Sequence, residues 1–248
     1  MLQNFIRHWV LPFLDPRRIF SVIRLPSFFA AWIRYRRMAG GGNARFTNLW
    51  PCLMDRVSYT PFDPHYYYQA AWLARSLAQA NPPLHVDVGS DIGMLGVLSA
   101  YVPLLFVDYR PLRVHHDGIT PIAGDVTRLP FADGSVASLS CLHVIEHIGL
   151  GRYGDPIDPM GYLAGLNELQ RVLARGGRLY LSTPVGRERV CFNAHRVFAT
   201  QTILNALRSL KIVRFGLVDD QGRFADDCEF SHADNLSYGC GMFVMTKI

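Results

Sequence analysis

The period of the apolar positions changes along the chain, and each change marks an element. Phe5, Ile6, Trp9, Val10, Phe13 and Leu14 recur at helical spacing, and Pro12 should kink or end that helix. A second apolar run, Leu25 to Ile33, contains Phe28, Phe29 and Trp32, with Arg24 before it and Arg34, Arg36 and Arg37 after it. Gly40-Gly41-Gly42 reads as a flexible joint. Asn43 to Pro64 is rich in turn formers and aromatics and reads as mostly irregular. Tyr68, Ala71, Trp72, Arg75 and Leu77 predict an amphipathic helix over His65 to Ala80, stopped by Asn81-Pro82-Pro83.

Beyond that stop the pattern alternates between short apolar runs and helical stretches, the signature of an α/β fold. Leu84 to Val88 predicts a first strand, interrupted by His85 and Asp87. The loop Gly89-Ser90-Asp91-Ile92-Gly93 leads into an apolar, helix-compatible run at Met94, Leu95, Val97 and Leu98. Strand, tight turn and helix open a nucleotide-binding βαβ unit. LLFVD ends a second strand at Asp108, and only about ten residues follow before Ile119, too few for an ordinary crossover helix. Ile119 to Ala123 and Val136 to Leu142 predict the third and fourth strands. Met160 to Leu173 predicts a helix, Arg178 to Thr183 a fifth strand and Thr200 to Leu210 a further helix. Ile212 to Val218 and Met242 to Thr246 predict a closing pair of strands. The expected division is a basic, aromatic-rich arm (1–42), a lead-in segment and helix (43–83) and an α/β domain (84–248).

Composition changes this picture in two places. The chain of 248 residues is half apolar, enough for a substantial core. Cys52, Cys141, Cys191, Cys228 and Cys240 form no C-x-x-C pair, which suits a reducing cytoplasm and suggests no zinc ribbon or dithiol site. The net charge of +5 is unevenly placed: through Arg45 there are eight arginines against Asp15 alone, 8 − 1 = +7, so the remainder carries 5 − 7 = −2. A mildly acidic body argues against a nucleic-acid partner, and the basic arm needs a separate role. Its apolar runs are too short to span a bilayer and lack a cleavage signature. Two readings stay open. The arm lies in an anionic membrane interface, at the inner face of the membrane, or it is a helical extension covering the core with its arginines in water.

The candidate chemistry gathers at the strand ends. Gly89 and Gly93 allow a sharp turn and close ligand approach. Asp91 falls where a dinucleotide site prefers its middle glycine, and a carboxylate there disfavours a pyrophosphate. It tolerates a ligand with an ammonium group and no phosphate, which S-adenosylmethionine is. Asp87, Gly89, Ser90 and Gly93 are then candidates for its methionine end, Asp108 for the ribose, Asp125 for the adenine, and the backbone near Leu142 for the pocket wall. His143, Glu146 and His147 are spaced to share one side of a helical turn at the crevice. They also fit H-x-x-E-H, the inverted zinc-peptidase pattern, but Gly149 and Gly151 break the helix that pattern needs, so no metal is expected. A bland reading has His147 capping or packing the turn. Arg152, Tyr153, Asp155 and Asp158 follow in a stiff loop that suits a polyhydroxylated substrate or is simply solvated. Asn193, His195 and Arg196 are placed to swing over the pocket, with His195 as a base.

Taken together, DVGSDIG, Asp108, Gly124-Asp125, the strand running into VIEHI, and LARGGRLYLS resemble a class I S-adenosylmethionine-dependent methyltransferase from Leu84 to Ile248. SCLHVIEHIGLGRYGDPIDP and RVCFNAHRVF more narrowly resemble the domain-of-unknown-function 268 family. The resemblance implies a Rossmann-like methyltransferase sandwich, its sheet mostly parallel with an antiparallel last strand, behind an N-terminal helical extension. It also implies a place in surface-polysaccharide or glycoconjugate assembly. The expected reaction is O-methylation of a sugar or glycoconjugate hydroxyl, with His147 or His195 as base. His143, Arg152, Tyr153, Asp155 and Asn193 are the expected substrate contacts. The rival expectation is a methyltransferase-shaped binding protein without catalysis, docked by its arm to a membrane or a glycan-assembly enzyme.

Overall fold

A computed structural model describes residues 21–110 and 112–248. The helix expected over Phe5 to Leu14 lies outside the described residues. The chain divides into two compact units, Met1–Pro61 and Phe62–Ile248, and the helix expected from His65 falls in the second.

In the first unit the apolar run becomes helix α1, Leu25–Arg37, with proline in its first turn and Arg34, Arg36 and Arg37 in its last. Trp32 donates its indole N–H to the Ala44 carbonyl at 2.9 Å, and the Arg36 guanidinium lies 5.4 Å from the Trp32 ring centre. Within the triple glycine, Gly41 packs closely against the end of α1 while Gly40 and Gly42 have open space around them. Gly40 sits at φ 83°, and a Cβ on Gly41 would meet the Tyr35 carbonyl oxygen at 1.9 Å. Only glycine lets the chain fold back that closely on the helix end. Among the described residues no helix is long and apolar enough to cross a membrane.

The second unit opens with α2, Pro64–Ala80. Asp63 caps it, accepting from the backbone N–H groups of His65 at 2.9 Å and Tyr66 at 3.2 Å, while Pro64 supplies a preset φ in the first turn. Then come β1 (His85–Val88), α3 (Ile92–Leu98), β2 (Leu104–Asp108), β3 (Ile119–Ala123) and β4 (Val136–Leu142). They are followed by α4 (Gly161–Val172), β5 (Leu173–Val185), the hairpin β6 (Arg189–Cys191) and β7 (His195–Val197), and α5 (Thr200–Ala206). The chain ends with β8 (Leu210–Val218), β9 (Phe224–Ala225) and β10 (Gly239–Lys247).

The main sheet runs β3-β2-β1-β4-β5-β10-β8-β9. The first five strands pair in parallel, and β10 lies antiparallel between β5 and β8. Each face carries its own core. Leu139, Leu179, Leu181, Leu166 and Leu169 pack on one side, and Trp72, Leu73, Leu95, Phe106, Tyr180 and Met242 on the other. Tyr180 between Leu179 and Leu181 shows the alternation of a strand buried on both faces. Among the described residues no helix joins β2 to β3, so the short connection expected from sequence is a loop. The sheet order reverses between β1 and β4, which places a crevice at the carboxyl ends of the central strands.

Candidate functional site

The crevice is built on the turn after β1. Gly89 takes φ 68°, and a Cβ there would press to 3.2 and 3.3 Å on the two Val144 methyls and approach Asp108 Oδ2 at 3.9 Å. The missing side chain therefore opens a cradle between β1, β2 and the segment after β4. Asp87 shapes the turn from below instead of lining the crevice, a correction to its expected ligand role. It is 0 % exposed and accepts from the Ser90 N–H at 3.0 Å, the Ser90 hydroxyl at 2.7 Å and the Ser140 hydroxyl. Burial pushes its carboxyl up to about 6, against the pull of those hydrogen bonds. Ser90 Oγ also accepts from the Leu142 N–H at 3.0 Å, so this hydroxyl ties the turn to β4. Beneath lies His85, bonded to Ser138 at 2.7 Å and Ser140 at 2.8 Å, its pKa lowered by burial to about 3.

Asp91 has a local task. Its Oδ1 accepts from the Met94 N–H at 2.9 Å, which makes it the cap of α3. The helix terminus that would greet a phosphate already holds a carboxylate. Gly93 lies 3.2 Å from that carboxylate by its would-be Cβ.

Two contiguous hollows fill the crevice, of about 350 and 590 Å³. Gly89, Asp108, Arg110, His143, His147 and Tyr153 line both. Asp125 and Asp155 line the first, and Ser90, Leu142 and Tyr66 the second. Asp108 Oδ1 accepts from the Arg110 N–H at 2.6 Å while Oδ2 faces the Gly89 turn. Asp125 Oδ1 accepts from the Thr127 N–H and hydroxyl, each at 2.8 Å. The Arg110 and Arg152 guanidinium groups lie 4.4 and 5.0 Å from the Tyr153 ring centre. Sequence reading missed Arg110, whose only signal was its place two residues after Asp108.

After β4 the chain makes a single short turn, Ile145–His147, not the long helix of a zinc peptidase. His143 adopts φ 53° and hydrogen-bonds Glu146 through Nδ1 at 2.6 Å. Burial would push Glu146 up, but His143 beside it holds the carboxyl below its usual range. Burial would likewise push His143 down, yet the Cys240 sulfur and Glu146 raise it well above the usual imidazole value. His147 Nδ1 lies 2.7 Å from the Ala194 carbonyl. Arg152 Nη1 lies 3.2 Å from the same Nδ1 and donates to the same carbonyl; the tautomer with its proton on Nδ1 bonds Ala194 and leaves the lone pair on Nε2, 3.9 Å from Glu146 Oε1. Burial lowers the His147 pKa, with the neighbouring Arg152 acting the same way.

Three other expected site residues, Arg196, His195 and Asn193, line neither hollow. Arg196 is buried and does not swing. Its guanidinium clamps the Ile148 carbonyl at 2.6 Å and the Pro159 carbonyl at 3.3 Å. His195 on β7 packs its ring 5.0 Å from Tyr238, and burial lowers its pKa. Asn193 is exposed at the tip of the β6–β7 hairpin, and Arg152 donates to the Ala194 carbonyl at 2.9 Å. Asp155 organises its own loop. Burial would raise its pKa, but N–H groups from Tyr153, Gly149 and Gly151 hold it down.

Solved structures of similar architecture decide the fold. The N-methyltransferase NodS from Bradyrhizobium japonicum, in complex with S-adenosylhomocysteine, superposes with TM-score 0.51 at 15% identity, over 73% of this chain and 86% of that one. A candidate sarcosine dimethylglycine methyltransferase from Galdieria sulphuraria gives 0.53 at 14%, again over 73% and 86%. The fold is that of the class I methyltransferases. Residues 133–213 of this methyltransferase-fold chain match the family described as "Caenorhabditis protein of unknown function, DUF268". No curated protein sequence matches the chain. The [4+2]-cyclase SpnF shares the methyltransferase fold at TM-score 0.50 and 14% identity, over 71% of this chain and 80% of that one. Fold alone therefore does not name the reaction, and the residues must carry it.

Proposed function

We propose that the chain is an S-adenosylmethionine-dependent methyltransferase that acts on a hydroxyl of a sugar or glycoconjugate. The observation that carries this reading is His147. It lines the same hollows as the Gly89 turn and Asp108, and with Nδ1–H donated to the Ala194 carbonyl its basic nitrogen is Nε2. The cradle fits the donor: a glycine turn for close approach, an acid ending β2 with one oxygen facing the turn, and Asp125 after β3. Asp91 capping α3 suits a ligand without phosphate.

When bound, the donor supplies an electrophilic methyl group on a sulfonium. Asp108 would hold the ribose hydroxyls and Asp125 the adenine, while the backbone of Gly89 and Ser90 supports the amino-acid end. Methyl transfer is an in-line displacement, so positioning supplies much of the acceleration. His147 Nε2 takes the proton from the attacking hydroxyl, and the Glu146 carboxylate stabilises the imidazolium that results. Tyr66 and Tyr153 bring aromatic rings to the hollow and Arg110 hydrogen-bond donors, which suits the mixed C–H and O–H surface of a sugar ring. Isothermal titration of the full chain with S-adenosylmethionine tests the reading. Saturable heat that Asp108→Ala abolishes is expected, and a folded chain that gives no heat sinks it. Binding without transfer to any glycan hydroxyl would favour a non-catalytic role.

A further inference from the structure

Beside the crevice, the fold joins three residues that the sequence holds far apart. His65 opens α2, His143 follows β4, and Cys240 lies in β10. One ring nitrogen of each histidine and the Cys240 sulfur all lie within 4.8 Å of one another. Strand pairing explains the meeting. The His143 N–H donates to the Ser182 carbonyl of β5 at 3.0 Å, and Cys240 of β10 pairs with Pro184 of the same strand. The Ser182 hydroxyl donates to Gln69 Oε1 at 2.6 Å, which holds α2 and its first-turn histidine above that place.

From this juxtaposition we infer that His65, His143 and Cys240 form a binding site for a zinc-class divalent metal ion. Three features go beyond proximity. First, His143 Nε2 is buried on a side chain only 5 % exposed, and among the described residues only the Cys240 sulfur, itself one of the three donors, is placed to engage it. A buried nitrogen costs free energy unless something binds it. Second, the His143 imidazole is held from behind by the Glu146 carboxylate at 2.6 Å, and the His65 ring is stacked on Tyr238 at 5.1 Å. Ligating histidines are oriented in this way, which fixes the free nitrogen toward the metal. Third, two imidazoles and a thiol are a soft donor set that selects zinc or its neighbours over calcium or magnesium. Three protein ligands leave a fourth position for solvent or another ligand. Binding would draw the donors together by roughly an ångström, to metal–ligand lengths of about 2.0–2.3 Å. The His65 and His143 rings stack at 5.5 Å, walled by Tyr66 and Tyr238. His143 also lines the crevice, so the site adjoins it without sharing the residues that would hold the methyl donor.

The test uses the full chain, stripped with a chelator and titrated with Co²⁺. One equivalent is expected to bind with a thiolate-to-cobalt charge-transfer band and strong tetrahedral visible absorption, and Zn²⁺ is expected to displace it. Cys240→Ser should lose the charge-transfer band. His65→Ala should weaken Zn²⁺ by on the order of 100-fold, and Glu146→Gln by about 10–100-fold. His65 is partly exposed, so its variant keeps the test alive if Cys240→Ser does not fold. Absence of equimolar binding by the folded chain, or unchanged affinity in His65→Ala, overturns the site. Neither result depends on methyl transfer or on the donor.

Discussion

At the scale of the residue, His147 makes the sharpest commitment. Its Nε2 lone pair is available while the ring is neutral and is lost as pH falls through its pKa. Burial sets that pKa below the ordinary 6.5. The acid limb of kcat is therefore expected below pH 6.5, with a plateau above it. His147→Gln is expected to lower kcat by about 10²–10⁴-fold while leaving donor binding heat intact. A pH profile with the same acid limb in that variant would assign the base elsewhere. Residue identity announced several of these positions. Gly89, Asp108 and Asp125 were legible because a glycine turn and acids at strand ends have few other uses in a βαβ unit. Asp91 was legible as a carboxylate but not as a cap, since that depends on where α3 begins. Arg196 looked like a mobile contact until its carbonyl partners, supplied by the turn after β4 and the loop before α4, were in view.

At the scale of the element, α2 links local sequence to the site. Asp63 Oδ1 accepts two N–H groups from the first turn, those of His65 and Tyr66. Asp63→Ala is expected to destabilise the chain by about 0.5–2 kcal/mol in urea unfolding, and Asp63→Asn by much less. Equal losses would mean that charge rather than capping geometry matters. Strands β3 and β4 appear where their apolar runs predicted them, because a buried strand's pattern is local. The conformation of the glycine run was not legible, for the opposite reason. Three glycines permit both a loose linker and a tight reversal, and only the Tyr35 carbonyl lying against Gly41 selects the second.

At the scale of the molecule, the two units differ in character. Helix α1 buries no residue and carries three arginines in its last turn, while Ile33 and Tyr35 are exposed. We propose that this pattern serves contact with an anionic membrane surface. Deleting residues 1–42 is expected to reduce co-sedimentation with anionic vesicles, in a salt-sensitive way. Unchanged sedimentation would discard the membrane contact.

The order of strands, turns and helices was written in the chain, because burial on one face or two imposes a period that neighbouring residues reveal. The acids and the glycine at the carboxyl ends followed from the same order. What only the tertiary structure decided is which distant side chains meet. Cys240 reaches His143 because β10 inserts antiparallel beside β5, and His65 joins them because Gln69 anchors its helix to that strand. Register and crossover are set by packing across the whole sheet, and no local pattern encodes them.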